Sequence, residues 1–283
     1  MKVNSLTEKT GLLGHPVGHS KSPDMHNEAF ALTGFNMVYL AYDVSPEKLP
    51  QAVEGMRALG FRGWNVTIPH KVAIMELLDE LDDSAKEIGA VNTVVNKESR
   101  LIGYNTDGTG YLRSLQEETA MQLTGKRVVL VGAGGAARAV GYALATAGVR
   151  EITVTNRTTA KAEALASRLS RWVPTRVITA EELQTALQDA ALLVQTTSVG
   201  MHPDADVSPV NPDWLHSGLV VSDLIYHPRK TKLLQEAEKQ GACIHGGAGM
   251  LVHQAALAFE LWTGHPAPVK KMREVLERSL APV

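Results

Sequence analysis

A glycine-rich turn near the middle of the 283-residue chain carries residues that could bind the pyrophosphate of a dinucleotide. Gly132, Gly134 and Ala137 follow the apolar run 128–131 with the spacing G-x-G-x-x-A. The first glycine permits a tight turn, the second lets backbone N–H groups approach a phosphate, and the small third residue lets a helix pack closely on the strand. The spacing alone is a weak signal, but a helical pattern and a second strand follow it. We therefore predict a βαβ unit with cofactor contacts at Gly132, Ala133, Gly134, Gly135 and Ala136.

The residues at the end of the second strand indicate which dinucleotide is bound. An NAD-binding unit carries an Asp or Glu about 20 residues after the glycines, where it binds the ribose 2′-hydroxyl. Here Asn156, Arg157 and Thr158 occupy that place, and Lys161 follows one helical turn later. A 2′-phosphate requires cations and would be repelled by an acid. The alternative is that Thr158 only caps the next helix and Arg157 is solvated, but beside the glycine turn we predict NADP.

The composition of the chain narrows the class of protein. A net charge of −2 and scattered Lys and Arg residues argue against a nucleic-acid surface. The most apolar region, 128–149, is interrupted by Arg138 and by glycines, which argues against a membrane span. Cys243 is the only cysteine, so an internal disulfide cannot form and the cytoplasm is the expected compartment. Without a cysteine cluster or a His-Glu-x-x-His motif, we predict no metal site.

Alternating strand and helix patterns fill residues 10–104 and predict an α/β domain with a mainly parallel sheet. Ser22 and Pro23 have the types expected for the N-cap and first position of a helix that runs to about residue 33. The further predicted helices cover 46–59, 69–78 and 82–88, and the predicted strands cover 10–14, 37–44, 63–68, 90–96 and 100–104.

The rest of the sequence predicts a second α/β domain and a return to the first. The segment 105–108 is expected to cap a helix that runs to about residue 119. Strands and helices then alternate in the order of a doubly wound dinucleotide-binding fold. The last two helices, 248–263 and 268–280, follow the final strand and are assigned to the first domain. The predicted domains are therefore 1–105 with 246–283, and 106–245.

Six short motifs, spread over nearly the whole chain, carry a close resemblance to one enzyme family. They are HSKSP at 19–23, NVTIPHK at 65–71, GAVNT at 89–93, NTDG at 105–108, NRT at 156–158 and GMLVHQ at 249–254. With them, the sequence resembles the NADP-dependent shikimate dehydrogenases. The resemblance implies an N-terminal substrate domain and a Rossmann domain for NADP, with a cleft between them. It also implies reversible reduction of 3-dehydroshikimate to shikimate, a step towards chorismate and the aromatic amino acids.

The resemblance also implies a role for each matching residue. Lys71 would be the general acid–base group, and Asp107 would hold it together with a substrate hydroxyl. Ser20 and Ser22 would bind the substrate carboxylate. Further contacts with the substrate are implied for Thr67, Asn92, Tyr226 and Gln254. Contacts with the cofactor, at the nicotinamide or near it, are implied for Leu224, Gly247 and Asp83.

Each of these residues also has a plainer interpretation. Lys71 could be an ordinary solvated lysine, although a place in the first turn of the predicted helix 69–78 would disfavour a cation and help it to lose a proton. Asp107 and Ser22 could be helix caps. Roles in a strand, a turn or a helix surface are the alternatives for Thr67, Asn92 and Gln254.

Two other functions remain open from the sequence. A quinate/shikimate dehydrogenase that uses NAD would be expected to carry an acid where Asn156 and Arg157 stand. A non-catalytic NADP-responsive binding protein on the same fold would be expected to lack Lys71 or Asp107, since function depends on the site and not on the fold. We therefore predict an oxidoreductase with NADP and a small-molecule substrate, and we consider a homodimer as its assembly.

Overall fold

The computed structural model describes residues 3–280 and divides into two compact units. The first unit contains the residues up to Asp107 and those from Val252 onward, and the second contains Gly108–Leu251. The boundaries predicted from the sequence lie at 105/106 and 245/246. Both crossings of the chain lie inside helices, one that begins at Asp107 and one that spans Gly247–Thr263.

Strands and helices alternate along the described residues. In chain order the elements are β1 Glu8–Gly14, α1 Ser22–Thr33, β2 Met37–Asp43, α2 Leu49–Ala58, β3 Gly63–Val66, β4 Glu80–Leu81, α3 Asp83–Ile88, β5 Thr93–Lys97, β6 Arg100–Tyr104, α4 Asp107–Thr119, β7 Arg127–Val131, α5 Gly135–Thr146, β8 Glu151–Thr155, α6 Thr159–Leu169, β9 Thr175–Val177, α7 Leu183–Gln188, β10 Leu192–Gln195, β11 Val220–Asp223, α8 Lys232–Lys239, β12 Cys243–His245, α9 Gly247–Thr263 and α10 Val269–Ser279. Short 3-10 helices occur at Pro46–Lys48, Ala73–Leu77 and Pro212–Trp214.

The first unit contains a six-stranded sheet of mixed direction, in the order β2-β1-β3-β5-β6-β4. β1 pairs in parallel with β2 and β3, and β4 pairs in parallel with β6. β5 is antiparallel to both of its neighbours. The sequence predicts a mainly parallel sheet and does not indicate this antiparallel strand. The hairpin of β5 and β6 causes the difference, because Glu98 and Ser99 both have positive φ, 53° and 70°, as a two-residue hairpin turn requires.

Alternate residues of β3 face opposite sides of the first sheet, and each side is covered. Trp64 and Val66 point into an apolar cluster to which α2 contributes. Gly63 points to the other side, where a Cβ would lie 2.3 Å from Nε1 of Trp262 in α9. That indole nitrogen donates to the carbonyl of Val94 at 3.0 Å. The close approach of α9 to the sheet therefore requires glycine at position 63.

The second unit is built on six parallel strands in the order β9-β8-β7-β10-β11-β12. Counted within the unit, this is the order 3-2-1-4-5-6 of dinucleotide-binding folds. Val128 and Leu130 of β7 face a core with α5 and α6, whereas Val129 and Val131 face a core with α7 and α8. The predicted doubly wound fold is confirmed, and the glycine turn follows β7, where the strand order reverses.

The predicted helix 46–59 is divided into two elements. Pro46–Lys48 is a 3-10 turn, and α2 begins at Leu49. Pro50 then lies in the first turn of α2, where its missing N–H removes no helical hydrogen bond. Further into a helix the same proline would have broken the ladder, so the sequence favours a new start at this point.

The predicted α-helix 69–78 is wrong. Its first residues form turns, and a 3-10 helix of five residues follows at Ala73–Leu77. The carbonyl of Lys71 accepts a hydrogen bond from the N–H of Val91 at 2.8 Å. That carbonyl would have to accept from the N–H of Met75 in an α-helix, which needs i to i−4 bonds. A tertiary hydrogen bond therefore replaces the helical one.

A buried histidine in α1 should make the stability of the first unit depend on pH. His26 is fully buried, stacks on Tyr39 at a ring-centroid distance of 4.4 Å, and lies beside Phe30 and Trp262. Neither ring nitrogen has a hydrogen-bond partner among the described residues. Burial lowers the pKa of His26 from 6.5 to about 3, so the ring is neutral in the folded protein.

We expect His26 to reduce the free energy of unfolding by about 1.4 kcal/mol for each pH unit below the unfolded pKa. The unfolded chain binds a proton there, whereas the folded chain does not until its own, lower pKa is reached; above the unfolded pKa there is no effect. His26→Leu removes the titrating group, so urea unfolding at about pH 7 and about pH 5 should show a smaller loss of stability than in the wild type. His265→Leu, at an exposed histidine of the same unit, is the control. An equal loss in wild type and His26→Leu would contradict the prediction.

Candidate active site

The register of the first sheet brings polar segments to one edge. Leu13 pairs with Val66, Asn65 with Thr93, and Thr93 with Tyr104. The ends of β1, β3 and β6 and the start of β5 therefore lie side by side. The segments adjoining these strand ends contain the predicted residues Ser20, Ser22, Thr67, Lys71, Asn92 and Asp107.

Lys71 and Asp107 form an ion pair at this edge. Nζ of Lys71 donates to Oδ2 of Asp107 at 2.5 Å, and only 16% of the lysine side chain and 5% of the aspartate side chain are exposed. A pair that is so enclosed is screened little by salt. The pairing rules out an ordinary solvated lysine, the plainer interpretation of Lys71.

The backbone setting of Lys71 differs from the predicted one. Lys71 lies in a turn before the 3-10 helix Ala73–Leu77 and not in the first turn of an α-helix. A 3-10 segment of this length aligns few peptide dipoles. The expected effect of a helix N-terminus on its ammonium group therefore does not apply, and Asp107 is the charged group that contacts it.

Asn92 holds the second carboxylate oxygen of Asp107. Its Nδ2 donates to Oδ1 of Asp107 at 2.8 Å, and its Oδ1 accepts from the N–H of Thr106 at 2.8 Å. The N–H of Asp107 donates to Oδ1 of Asn105 at 3.1 Å, so the side chain at the start of α4 that accepts a backbone N–H belongs to Asn105. Both oxygens of Asp107 contact side chains, and each keeps a lone pair for a substrate hydroxyl.

Gln254 of α9 belongs to the same cluster. The residue is 9% exposed, and its Oε1 lies 3.5 Å from Nδ2 of Asn92, which is long for a hydrogen bond. Its backbone carbonyl accepts from Oγ1 of Thr106 at 3.1 Å. The fold thus brings Asn92, Asp107 and Gln254 together from segments that are distant in the sequence.

Ser20 and Ser22 lie where β1 leads into α1. The prediction that Ser22 is the N-cap of this helix is wrong. α1 begins at Ser22, Lys21 occupies the N-cap position, and no side-chain cap bond is formed. The hydroxyl of Ser20 accepts from the N–H of Ser22 at 3.3 Å. Thr67 follows β3 and is half-buried; its N–H donates to the carbonyl of Leu13 at 2.9 Å, which holds it beside the end of β1.

Buried polar residues without a predicted role connect these groups. Tyr39 donates to Oδ1 of Asn65 at 2.8 Å, Nδ2 of Asn65 donates to Oγ1 of Thr93 at 3.0 Å, and Thr93 donates to Oδ1 of Asn92 at 3.0 Å. A buried amide requires hydrogen-bond partners. A polar residue inside the apolar strand Gly63–Val66 is therefore the signal that could have identified Asn65.

The carboxyl ends of four strands of the second sheet also meet at one edge. Val131 pairs with Thr155 and with Gln195, and Gln195 pairs with Asp223. The segments that follow contain the predicted cofactor residues Gly132, Ala133, Gly134, Gly135, Ala136, Asn156, Arg157, Thr158, Lys161 and Leu224.

The glycine turn has the geometry that a pyrophosphate requires. Gly132 has φ 111°, in the region that favours glycine, and a Cβ there would lie 2.3 Å from Oγ1 of Thr196. Gly134 is the N-cap of α5 and makes no side-chain cap bond, so the first N–H groups of the helix can bind an anion. Apart from chain neighbours, no described atom lies within 4 Å of a Cβ built on Gly134. Donors and open space together fit a phosphate.

The segment after β8 fits the additional phosphate of NADP. Arg157 and Lys161 are exposed, and no acid occurs in 156–161. Nδ2 of Asn156 donates to the carbonyl of Thr158 at 2.9 Å. Thr158 occupies the N-cap position of α6, but its side chain makes no cap bond, so the plainer interpretation of this hydroxyl is not supported.

Leu224 and Gly247 lie together beyond β11 and β12. A Cβ on Gly247 would lie 2.1 Å from the carbonyl oxygen of Leu224, so this approach requires glycine. Asp223 anchors the segment, because its Oδ1 accepts from the N–H of Ile225 at 3.0 Å and its Oδ2 from the hydroxyl of Thr231 at 2.7 Å. Burial raises the pKa of Asp223 to about 6, and these hydrogen bonds oppose the rise.

The hydrogen bonds given so far connect Tyr226 and Asp83, two predicted site residues, neither to the Lys71–Asp107 pair nor to the glycine turn. Tyr226 is half-buried in the segment after Leu224, and burial raises the pKa of its phenol, which keeps it neutral. Asp83 is the first residue of α3; its side chain is 97% exposed and pairs with Lys86 at 3.1 Å. The roles that the resemblance implies for Tyr226 and Asp83 stay predictions.

The described residues contain no group of three or more His, Cys, Asp or Glu side chains that could hold a metal ion. His245 is an example of a histidine with a different role. Its Nε2 and Nδ1 lie 2.7 Å and 2.8 Å from the hydroxyls of Ser114 and Ser222, and burial lowers its pKa to about 4. Within residues 3–280, each helix is too short or too polar to cross a bilayer.

Two glycine substitutions in the second unit should affect different properties, cofactor affinity in one case and stability in the other. Gly134→Ala places a methyl group in open space where a phosphate would bind, so we expect an unchanged melting temperature and an affinity for NADP reduced by about fivefold to tenfold. Gly247→Ala places a methyl group against backbone atoms of Leu224, so we expect a loss of stability of about 1–3 kcal/mol. Calorimetric melting and titration with NADP measure both. An unchanged NADP affinity in Gly134→Ala would contradict the assignment of the turn.

Family models match three parts of the chain. The model of the shikimate dehydrogenase substrate binding domain matches residues 12–94. The model described as shikimate / quinate 5-dehydrogenase matches residues 114–202, and that of the shikimate 5′-dehydrogenase C-terminal domain matches residues 247–277. The matches fall in both units.

Individual proteins are similar over nearly their whole length. The shikimate dehydrogenase (NADP(+)) of Methanopyrus kandleri is 53% identical over 281 residues, 98% of this chain and 97% of that protein. A crystal structure of a shikimate dehydrogenase in complex with NADP+ is 43% identical with a TM-score of 0.93, covering 99% of this chain and 98% of the other. Quinate dehydrogenase from Corynebacterium glutamicum in complex with NAD is 33% identical with a TM-score of 0.90, covering 96% and 99%. On these similarities and on the two-unit α/β fold, the chain belongs to the shikimate dehydrogenase family.

Proposed function

We propose that this protein is an NADP-dependent shikimate dehydrogenase, which reversibly reduces 3-dehydroshikimate to shikimate. The observation that carries the proposal is the Lys71–Asp107 pair, whose carboxylate is held by Asn92 at the same sheet edge as Thr67. This is a proton-transfer group beside residues that can bind hydroxyls. The name of the relative from Methanopyrus kandleri supports the same reaction.

Lys71 moves the proton of the proposed reaction. In the direction of reduction, its ammonium group donates a proton to the oxygen on C3 as the carbonyl becomes a hydroxyl; in oxidation, the neutral amine accepts that proton. The reduced nicotinamide of NADPH supplies the hydride when it is bound. Asp107 holds Nζ at 2.5 Å, and Asn92 fixes Asp107 in turn, so the proton donor is positioned before the substrate binds.

The remaining polar residues of the first unit bind the substrate in this proposal. Ser20 and Ser22 supply hydroxyl donors for the carboxylate at the N-terminus of α1, where the peptide dipoles of the 12-residue helix favour an anion. Ring hydroxyls have acceptors on Asp107 and side chains that both donate and accept, namely Thr67, Asn92 and Gln254.

In the second unit, the 2′-phosphate of NADP is assigned to Arg157 and Lys161, with Thr158 as a further donor. The guanidinium can donate two parallel hydrogen bonds to phosphate oxygens, and the lysine adds a second positive charge. The pyrophosphate is assigned to the N–H groups at the start of α5, next to Gly134. Leu224 and Gly247 are assigned to the nicotinamide end through their backbone groups.

A spectrophotometric assay of NADP reduction with shikimate tests the proposed function. We expect activity with shikimate and NADP, and much lower activity when quinate replaces shikimate or NAD replaces NADP. Purified protein without activity towards shikimate at any pH at which it is folded would overturn the proposal.

The structure offers less support for the two alternative functions. A quinate dehydrogenase with NAD is structurally similar to this chain, but an NAD site is expected to place an acid where Asn156 and Arg157 stand. A non-catalytic NADP-responsive protein has no need of a half-buried lysine that is paired with a buried carboxylate. Quinate and NAD are nevertheless included in the assay, because they distinguish these functions directly.

The compartment and the assembly belong to the same proposal. The single cysteine, Cys243, favours a reducing compartment, and we propose the cytoplasm. For the assembly we propose a homodimer. Sedimentation equilibrium over a range of protein concentrations tests the assembly, and fractionation of the source cells tests the compartment.

A further inference from the structure

A buried tyrosine on the strand at the edge of the first sheet contacts both helix α1 and the polar residues of the candidate active site. Tyr39 lies in β2 and is fully buried. Its hydroxyl donates to Oδ1 of Asn65 at 2.8 Å. Burial raises the pKa of Tyr39, so the phenol stays neutral and keeps its proton for Asn65.

The hydrogen bonds continue from Asn65 to the acid–base pair without a gap. Nδ2 of Asn65 donates to Oγ1 of Thr93 at 3.0 Å and to the carbonyl of Asn92 at 3.2 Å. Thr93 donates to Oδ1 of Asn92 at 3.0 Å. Asn92 donates to Oδ1 of Asp107 at 2.8 Å, and the other oxygen of Asp107 holds Lys71. Every donor in this series has an acceptor, so each side chain is fixed in one orientation.

The backbone of Tyr39 is held as firmly as its hydroxyl. Oδ1 of Asn27 in α1 accepts from the N–H of Tyr39 at 2.8 Å, and Nδ2 of Asn27 donates to its carbonyl at 2.9 Å. The ring stacks on His26, also in α1. The helix that begins at Ser22 and the strand that carries Tyr39 are therefore fixed to each other through both the backbone and the ring of Tyr39.

We propose that Tyr39 is a positioning residue that sets α1, which begins at the carboxylate-binding Ser22, and the Asn92–Asp107–Lys71 group in one geometry. This inference rests on the proposed function, because it assumes that Ser22 binds the substrate carboxylate and that Lys71 transfers the proton. Tyr39 itself does not contact the reacting atoms in this proposal. Loss of its hydroxyl should leave Asn65 without one partner and loosen the hold of Asn65 on Thr93 and on the backbone of Asn92. Because Asn92 is assigned to the substrate as well as to Asp107, both substrate binding and turnover should change.

Tyr39→Phe is the main test, because it removes one oxygen and retains the ring. We expect kcat/KM for shikimate to fall by about tenfold or more, with a raised KM for shikimate and a lowered kcat. The KM for NADP should stay within about twofold of the wild-type value, because the cofactor residues of the second unit are unchanged. Tyr42→Phe is the matched control, since Tyr42 is in the same strand and packs against Phe61 at 5.8 Å between ring centroids.

A second variant keeps the test decisive if Tyr39→Phe folds poorly. Thr93→Val replaces a fully buried hydroxyl with a methyl group of similar size and interrupts the series between Asn65 and Asn92. It should lower kcat for shikimate and again spare the KM for NADP. Melting curves of all variants show whether the loss of activity exceeds what reduced stability explains.

The outcomes separate this inference from the proposed function. If wild-type protein oxidises shikimate, but Tyr39→Phe and Thr93→Val match Tyr42→Phe in both kcat and KM, the positioning role is wrong and the function stands. Equal changes in the KM for shikimate and for NADP would also overturn the role, because they would indicate a general effect on folding. If the wild type does not oxidise shikimate, the function fails and this inference fails with it. A loss confined to the shikimate parameters supports the role.

Discussion

Lys71→Ala is expected to lower kcat for shikimate oxidation by about 100-fold or more and to leave the KM for shikimate within a few-fold of the wild type. The lysine is the proton-transfer group of the proposed reaction, and its nitrogen is fixed at 2.5 Å from Asp107. In the variant, a water molecule would have to donate the proton in place of Nζ. Asn92 and Asp107 would not define the position of that water as they define the position of Nζ. Substrate binding should change less, because the carboxylate and hydroxyl contacts are assigned to other residues.

The substitution also affects stability, and the measurement has to separate the two effects. Removing Lys71 leaves the buried carboxylate of Asp107 without its cation, which costs about 3–5 kcal/mol in comparable buried pairs. Turnover should therefore be measured well below the melting temperature of the variant. Lys97→Ala is a suitable control, because Lys97 is an exposed lysine at the hairpin end of β5 in the same unit and its loss should not change kcat. Turnover of Lys71→Ala close to that of Lys97→Ala would remove Lys71 from its role.

The second unit could be predicted from sequence because its signals are local. The apolar run before Gly132, the spacing of Gly132, Gly134 and Ala137, and the residues after β8 all act within a few positions of one another. Dihedral preferences and strand periodicity decide such features, and both can be read from neighbouring residues. The positive φ of Gly132 follows from them, and the observed strand order is that of the fold to which this local motif belongs.

The setting of Lys71 could not be predicted, because a distant residue decides it. Pro69 and the apolar positions after it favour a helix locally, but the N–H of Val91 binds the carbonyl of Lys71 and prevents the helical bond. For this reason a helix dipole does not act on Lys71 as predicted, whereas the assignment of Lys71 and Asp107 to one site depended only on motif identity.

The series from Tyr39 to Asn92 illustrates the same limit. Tyr39 lies in β2 and Thr93 in β5, and they approach each other only because the sheet has the order β2-β1-β3-β5. That order includes an antiparallel strand which the alternating pattern of strands and helices does not indicate. The sequence shows that Asn65 is a polar residue in an apolar strand, but its partners depend on the topology.

Arg157→Ala is expected to raise the KM for NADPH by about 10-fold to 100-fold and to leave the KM for NADH within about twofold. Only NADPH carries the 2′-phosphate that the guanidinium would bind. Arg157 is exposed, so salt should weaken the effect, and low ionic strength is the condition in which it is largest. Initial rates with each cofactor, at saturating 3-dehydroshikimate, provide both constants.

Arg150→Ala and Arg157→Asp complete this experiment. Arg150 is exposed and precedes β8, at the opposite end of the strand from Arg157, so Arg150→Ala makes the same change of charge away from the predicted phosphate site. It should leave both KM values unchanged. Arg157→Asp introduces the acid that NAD-binding units carry at this point, so it should weaken NADPH further and improve NADH relative to Arg157→Ala. Equal effects of Arg157→Ala on NADPH and NADH would show that the arginine does not bind the 2′-phosphate, and the basis for choosing NADP over NAD would have to lie in Lys161 or Thr158.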